Sequence, residues 1–381
     1  MSNFKNTFLI FAFLFFGSAA RAQENILMID KQAVQAQIEK RLEPEGPGIQ
    51  YVVVNGKGVI YEYAGGWADI KHHIPIDRNT TMAAFSMTKP LTAIAILQLV
   101  EADKIRLDDK ASDYVDHPYD QNITIRQLLD HTSGIPNPVP LRWVHTPEKH
   151  KSFDENLALN KILENNPMQK FRPGEIYSYS NIGYWLLGKI IEKVAKQEYS
   201  EYVMQHILTP LMIKPGELGF AIVRPEHHAH GYLEKYSLMN LVKGFLLDGY
   251  VWGEYEENWL RINDVYLDGP SFGGAIGSAM AFGRILQDLL GEYSLLMSDK
   301  TRDLLFQQTQ NNLNEDIEMT LGWHIHDLAG IRYFFKEGGG AGFHSEMRIY
   351  PAKGIASVVM ANRTSFDAKK FLNDLDAEFL K

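Results

Sequence analysis

Ten mostly apolar residues, Leu91 to Val100, follow directly on the stretch Ala84-Phe85-Ser86-Met87-Thr88-Lys89-Pro90. A helix that is apolar all round has to be enclosed by other elements, so the chain must build a core around this run. Residues 86–90 then sit at its mouth. If the helix starts at Ser86, Ser86 and Lys89 are three residues apart and share a face. A serine hydroxyl needs a base within reach to act as a nucleophile, and a lysine made neutral by burial supplies one. The helix N-terminus adds partial positive charge where an oxyanion would form. Pro90 suits the first turn, where its missing N–H is not required.

With 381 residues and 45% hydrophobic content, the chain is large enough for a sizeable core. Its formal charge of −9 gives no basic footprint for nucleic acid, and that class is set aside. Residues 1–22 carry Lys5, the apolar stretch Phe8 to Phe16 and Ala20-Arg21-Ala22. This pattern reads as a secretory signal peptide cleaved before Gln23, with an apolar middle too short for a lasting membrane span. Removing Lys5 and Arg21 with the leader takes the formal charge from −9 to −11. There is no cysteine for a disulfide or a lipid anchor. A periplasmic or secreted protein without a stable membrane anchor is expected.

Along the chain, Asp30 caps a helix carrying Val34, Ile38 and Leu42, which Pro44, Gly46, Pro47 and Gly48 terminate. Ile49 to Val54, the turn Asn55-Gly56-Lys57-Gly58 and Val59 to Tyr63 read as a β-hairpin. From about Thr80 to Leu290 the pattern is mostly helical. Strand patterns return at Leu321–Ile325, Ile331–Phe335, Met347–Tyr350 and Ile355–Met360, before a last helix with Phe371, Leu372, Leu375 and Phe379. Between strands lies Lys336-Glu337-Gly338-Gly339-Gly340-Ala341-Gly342, which reads either as a hairpin loop or as backbone free to approach a ligand.

Several histidines invite functional readings. His131, beside Thr132-Ser133-Gly134 at a helix end, reads as a hydrogen-bonded structural group. Glu226-His227-His228-Ala229-His230 lacks any zinc spacing and is not read as a metal site. His324 and His326 alternate with Trp323 and Ile325, as exposed positions of a half-buried strand would. Tyr179, in Tyr177-Ser178-Tyr179-Ser180-Asn181 before an apolar helix, can share a proton with a lysine because a nearby cation favours the phenolate.

Three motifs in this order resemble the serine beta-lactamase and penicillin-binding-protein family, in its class C-like branch of secreted esterases, D-peptidases and beta-lactamases. Ser86-Met87-Thr88-Lys89 looks like S-x-x-K, Tyr179-Ser180-Asn181 like Y-x-N, and Lys336-Glu337-Gly338 like K-T-G or H-x-G. The turn after His131, the Pro173-Gly174 pair and the Gly273-Gly274 loop extend the likeness over about residues 30 to 365. The resemblance implies an α/β (α+β) fold: an antiparallel sheet flanked by helices, with an inserted, mostly helical subdomain. Both chain ends would contribute to the sheet part, about 23–79 and 291–381, with the helical part over about 80–290. The site would lie in the cleft between them, within one catalytic domain of residues 23–381.

By the same resemblance, Ser86 would attack a carbonyl while Lys89 and Tyr179 take its proton and later activate water. Asn181 would position substrate and lysine, Lys336 would lend positive charge, and the backbone N–H groups of Ser86 and Gly339 would form an oxyanion hole. No metal or organic cofactor is implied. The third motif departs from the pattern, since Glu337 stands where relatives carry a hydroxyl that holds a substrate carboxylate. With Glu337, Gly338 and Gly339 beside the substrate, the sequence points to a serine hydrolase for small esters or amides. A beta-lactamase or D-alanyl-D-alanine carboxypeptidase is the alternative, and a non-catalytic binding module on the same fold the third reading.

Overall fold

In the computed structural model, which describes residues 29–139, 142–246 and 248–381, the first and last strands of the chain pair with each other. The leader read over residues 1–22 lies outside the described residues. Strands β1 (Ile49–Asn55), β2 (Gly58–Gly65), β3 (His324–Leu328), β4 (Ile331–Gly340), β5 (Phe343–Tyr350) and β6 (Ile355–Ala361) form one antiparallel sheet in the order β3-β4-β5-β6-β1-β2. The central pairing runs from Ile49 opposite Ala361 to Asn55 opposite Ile355. Asn55 Oδ1 accepts from Lys57 N and Gly58 N and closes the expected hairpin turn.

Five helices matter to the site and its support: α1 (Lys31–Glu39), α2 (Lys89–Glu101), α3 (Asn181–Ala195), α4 (Ala279–Leu290) and α5 (Ala368–Phe379). Strand β1 is apolar without alternation because both its faces are covered. Tyr51 and Val53 join the core made with α1 and α5, while Val52 and Val54 join the core that contains α4. At Gly283 of α4, a Cβ would stand 3.2 Å from Val52 Cγ1, so the absent side chain lets α4 lie close on the sheet. Helix α4 closes the stretch expected to be helical, yet it packs on the sheet.

Helix α2 is buried from Lys89 to Leu97, as an all-round apolar run requires. The central stretch also holds a three-stranded sheet, Gly231–Glu234, Trp259–Ile262 and Trp252–Glu256, which the sequence reading did not anticipate. Buried Asn362 ties it to the main sheet: its Nδ2 donates to His230 O and Trp67 O, and its Oδ1 accepts from Gly48 N. The glycine-rich run read as a possible loop is strand through Gly340, and only Ala341-Gly342 makes the turn into β5. Pairing with β5 supplies the backbone order that glycine composition alone argues against.

A buried polar network fastens α5 to the sheet. Tyr51 and Tyr350 each donate to Asp376 at 2.8 Å, and Ser357 donates at 2.7 Å. Fully buried Arg348 donates to Glu346 Oε1, Asn373 Oδ1 and Lys369 O. Removing one partner of a buried ion pair leaves the other charge uncompensated. Arg348→Met is therefore expected to lower unfolding stability by about 3 kcal/mol. Urea denaturation checks this, and a loss within about 0.5 kcal/mol of zero, the range of ordinary surface changes, would contradict it.

Candidate active site

Ser86 lies on a 3-10 turn, Phe85–Thr88, that feeds directly into α2. The turn begins with a strained residue: Phe85 has φ of +46°, a region that bulky side chains avoid. Thr88 Oγ1 holds it there by donating to Phe85 O at 2.7 Å and accepting from Ala275 N at 3.0 Å. Met87 N donates to Ala84 O, and Ala84 N donates to Ala275 O. The helix proper starts at Lys89, three residues later than the sequence suggests, yet Ser86 and Lys89 still meet.

Lys89 Nζ is hydrogen-bonded to Ser86 Oγ at 3.0 Å, to Asn181 Oδ1 at 2.7 Å and to Phe272 O at 2.6 Å; a neutral amine gives its two protons to the two carbonyl oxygens and keeps its lone pair for the Ser86 hydroxyl. All three partners are neutral and the side chain is fully buried. Burial, reinforced by the nearby Lys336 charge, holds the Lys89 amine well below the ordinary lysine range. Tyr179 OH is hydrogen-bonded to Ser86 Oγ at 2.6 Å. The Lys89 and Lys336 nitrogens lie 4.8 Å and 5.1 Å from the centre of its ring. Burial pushes the Tyr179 phenol above its usual value, and the Ser86 hydrogen bond offsets this only in part. Desolvation is the largest effect on this hydroxyl and favours its protonated form, so Tyr179 can pass a proton between Ser86 and Lys89 without resting as a phenolate.

Helix α3 sets the second motif in place. Its N-cap Ser180 accepts from Gly183 N at 3.0 Å and donates to Pro136 O, while Asn181 N donates to Asn137 Oδ1. Buried His131 accepts from Ser180 N through Nδ1, and its ring lies 4.5 Å from that of Tyr179. His131 supports the segment carrying Tyr179, in keeping with its structural reading. His324 departs from its expected exposure: it is only partly accessible, stacks on Phe335 and hydrogen-bonds Tyr177 OH through Nε2. The strand begins at His324, and Tyr177 from the helical part covers that side of it.

Strand β3 pairs with β4 only as far as His324 opposite Phe335, so from Lys336 onward that edge of β4 faces the Ser86 turn. Gly338 permits the approach: a Cβ there would stand 2.1 Å from Ala84 O and 3.1 Å from Ser86 N. Lys336 and Glu337 alternate across the strand. Lys336 is fully buried, its Nζ has no hydrogen-bond partner among the described residues, and burial brings it down to about 7. Glu337, its neighbour in sequence, forms no salt bridge with it among the described residues. Its Oε1 meets His344 Nε2 at 2.5 Å, across the β4–β5 pairing. That bond keeps the Glu337 carboxyl below the usual range, and it overcomes burial to raise His344.

A cavity of about 330 Å³ opens at Ser86, with Asn181 and Gly339 in its wall. Ser86, Lys89, Tyr179, Asn181, Lys336, Gly338 and Gly339, which are far apart in sequence, thus converge here. The sequence reading missed Thr88, the Phe272 carbonyl and His344. Only the Gly273-Gly274 mark hinted at the second.

Residues 34–381 match the family model described as Beta-lactamase, and the chain belongs to that family. Penicillin-binding protein 4* from Bacillus subtilis (strain 168) is 26% identical over 303 residues, which is 78% of this chain and 64% of that protein. The chain therefore spans less than two thirds of this relative's length. The octameric penicillin-binding protein homologue from Pyrococcus abyssi shares the fold with a TM-score of 0.73 at 22% identity, over 92% of this chain and 78% of that one. The D-amino acid amidase from Ochrobactrum anthropi SV3 does so with a TM-score of 0.71 at 18% identity, over 91% of this chain and 98% of that one.

The two lysines give a pH test. A neutral Lys89 is favoured above its lowered value, and the Lys336 charge is one cause of that lowering. Lys336→Met removes the repulsion, so the value for Lys89 rises and the acid limb of Ser86 reactivity moves to higher pH. The rate of Ser86 labelling by a fluorophosphonate, followed from pH 4 to 9, checks the sign. A limb that stays put or moves to lower pH would contradict it.

Proposed function

We propose that the chain is a serine hydrolase that cleaves a small ester or amide through an acyl-enzyme on Ser86. The observation that carries this reading is Lys89: a fully buried amine with only neutral partners, one of them Ser86 Oγ at 3.0 Å. Such an amine gains from being neutral, and a neutral amine at this distance can take the serine proton. Ser86 Oγ bonds to the substrate carbonyl carbon as its proton passes to Lys89, directly or through the Tyr179 hydroxyl. The tetrahedral adduct then expels the leaving group, which takes up that proton. A water molecule, losing a proton to the same pair, cleaves the acyl bond and restores Ser86.

The backbone N–H groups of Ser86 and Gly339 stabilise the oxyanion in this reading, and Asn181 holds Lys89 in register. The ester or amide class is also consistent with a relative in fold named as an amidase. The N-terminal pattern of residues 1–22 supports export to the periplasm or beyond, leaving 23–381 as the catalytic unit.

Glu337 bears on the choice between a neutral ester and a beta-lactam. Its carboxylate is tied to His344, which offsets part of the repulsion toward an anionic substrate. What remains still favours neutral substrates, and no hydroxyl is available at that position. A neutral ester is expected to show higher kcat/KM than a chromogenic cephalosporin, with Glu337→Thr narrowing the ratio. A cephalosporin turned over better than every neutral ester tested would make the beta-lactamase reading the right one.

Mass spectrometry after a fluorophosphonate or a slowly turned-over ester should find one adduct, on the peptide holding Ser86. Lys89→Ala and Tyr179→Phe should each remove most turnover, and the double variant should lose far less than the product of the two. An adduct elsewhere, or none on folded protein, rules the mechanism out. Multiplicative losses would mean that Lys89 and Tyr179 act independently.

A further inference from the structure

Among the described residues that line the cavity at Ser86, none carries a charged side chain. Beyond Ser86 and Asn181 its wall is made chiefly by Phe85, Val144, Leu233, Trp252, Ile262 and Phe272. Leu233, Trp252 and Ile262 come from the three-stranded sheet and are held against the glycine turn of the main sheet, where Tyr232 N donates to Gly342 O. An ionised amine or carboxylate entering this space would lose its hydration with no counter-charge to replace it. An apolar chain loses nothing and leaves water. At about 330 Å³ the cavity is at the small end of ligand pockets, which suits a chain of moderate length.

The segment at the cavity's rim has its polarity reversed. In the helix Leu238–Leu246, the polar residue Asn240 is the buried one, and its Nδ2 donates to Glu234 O, Lys235 O and Tyr255 OH. Three of its apolar residues face outward: Leu238, Leu241 and Phe245 are 74%, 82% and 67% exposed, at spacings that place them on one face. Tyr236 just before the helix is exposed as well. A cluster of large apolar side chains turned to solvent marks an interaction surface. Met239 of the same helix lines the cavity, so this surface and the cavity are continuous. Lys243, bonded to Tyr255 OH, supplies a cation beside the apolar face, as in helices that lie in a lipid interface.

We infer that the substrate is an ester with an apolar acyl chain presented at a lipid surface, on which the helix Leu238–Leu246 rests while the chain enters the cavity past Met239. The inference rests on the acyl-enzyme reading above, and the tests separate the two. On monomeric p-nitrophenyl esters, kcat/KM should rise about fourfold per added methylene from acetate to hexanoate, the factor expected for each buried CH₂. A flat or falling series, with Ser86 still labelled by a fluorophosphonate, overturns the acyl-chain inference and leaves the hydrolase reading standing. Absence of labelling would instead remove the hydrolase reading. For the surface, full-length Ser86→Ala protein should sediment with phosphatidylcholine vesicles, and the exposed pair Leu241→Glu/Phe245→Glu should reduce the bound fraction at least tenfold. Protein that stays in the supernatant overturns the lipid surface. So does a dimer, seen by sedimentation without lipid, that the same pair of substitutions dissolves, because a second copy would then be what covers this face.

Discussion

Lys89 and Lys336 are both fully buried, both approach the ring of Tyr179, and among the described residues neither forms a hydrogen bond with a carboxylate. Removing an ammonium group from water without a counter-ion is costly enough that the group gives up its proton instead. The Lys336 charge also raises the cost of charging Lys89. The result is a site in which an amine 3.0 Å from Ser86 Oγ is disposed to be neutral and to accept its proton. Placing a carboxylate beside Lys89 would stabilise its charged form and remove the base. The hydrogen bonds from Lys89 to Asn181 and Phe272 fix its position with neutral oxygens, which avoids that effect.

Such a site requires elements that exclude water from three directions, and the fold supplies them from distant parts of the chain. The 3-10 turn running into α2 brings Ser86 and Lys89, the segment entering α3 brings Tyr179 and Asn181, and the free edge of β4 brings Lys336. Sheet closure through β1 and β6 makes the third of these possible. Two local backbone features let the elements meet. Phe85 sits in the left-handed region, held by Thr88, and Gly338 lets the strand pass against the Ser86 turn.

Much of this was legible in the sequence because the decisive signals are local. The all-round apolar run Leu91 to Val100 announced a buried helix, and the β-branched ends of the chain announced strands. The three motif segments carried their own residue types and spacing, so the convergence of Ser86, Lys89, Tyr179 and Asn181 follows from the family resemblance. What was not legible depends on partners far away in the chain. The glycines of 338–340 look like a loop until β5 pairs with them, and His324 looks exposed until Tyr177 covers it. Glu337 adjoins Lys336 in sequence, but alternation along the strand turns the two apart and hands Glu337 to His344. The three-stranded sheet that walls the cavity lies in a stretch whose overall pattern is helical, and its short strands give little periodicity to read.

The state of the Lys89 amine is the point on which the account turns. Its titration can be followed directly by NMR of protein labelled with ¹³C at the lysine ε-carbon, with Lys89→Met used to assign the signal. The account predicts that Lys89 titrates well below the ordinary lysine value of about 10.4, and lower in the unmodified protein than in Lys336→Met. A Lys89 signal that titrates at the ordinary value, in a folded protein, would contradict it.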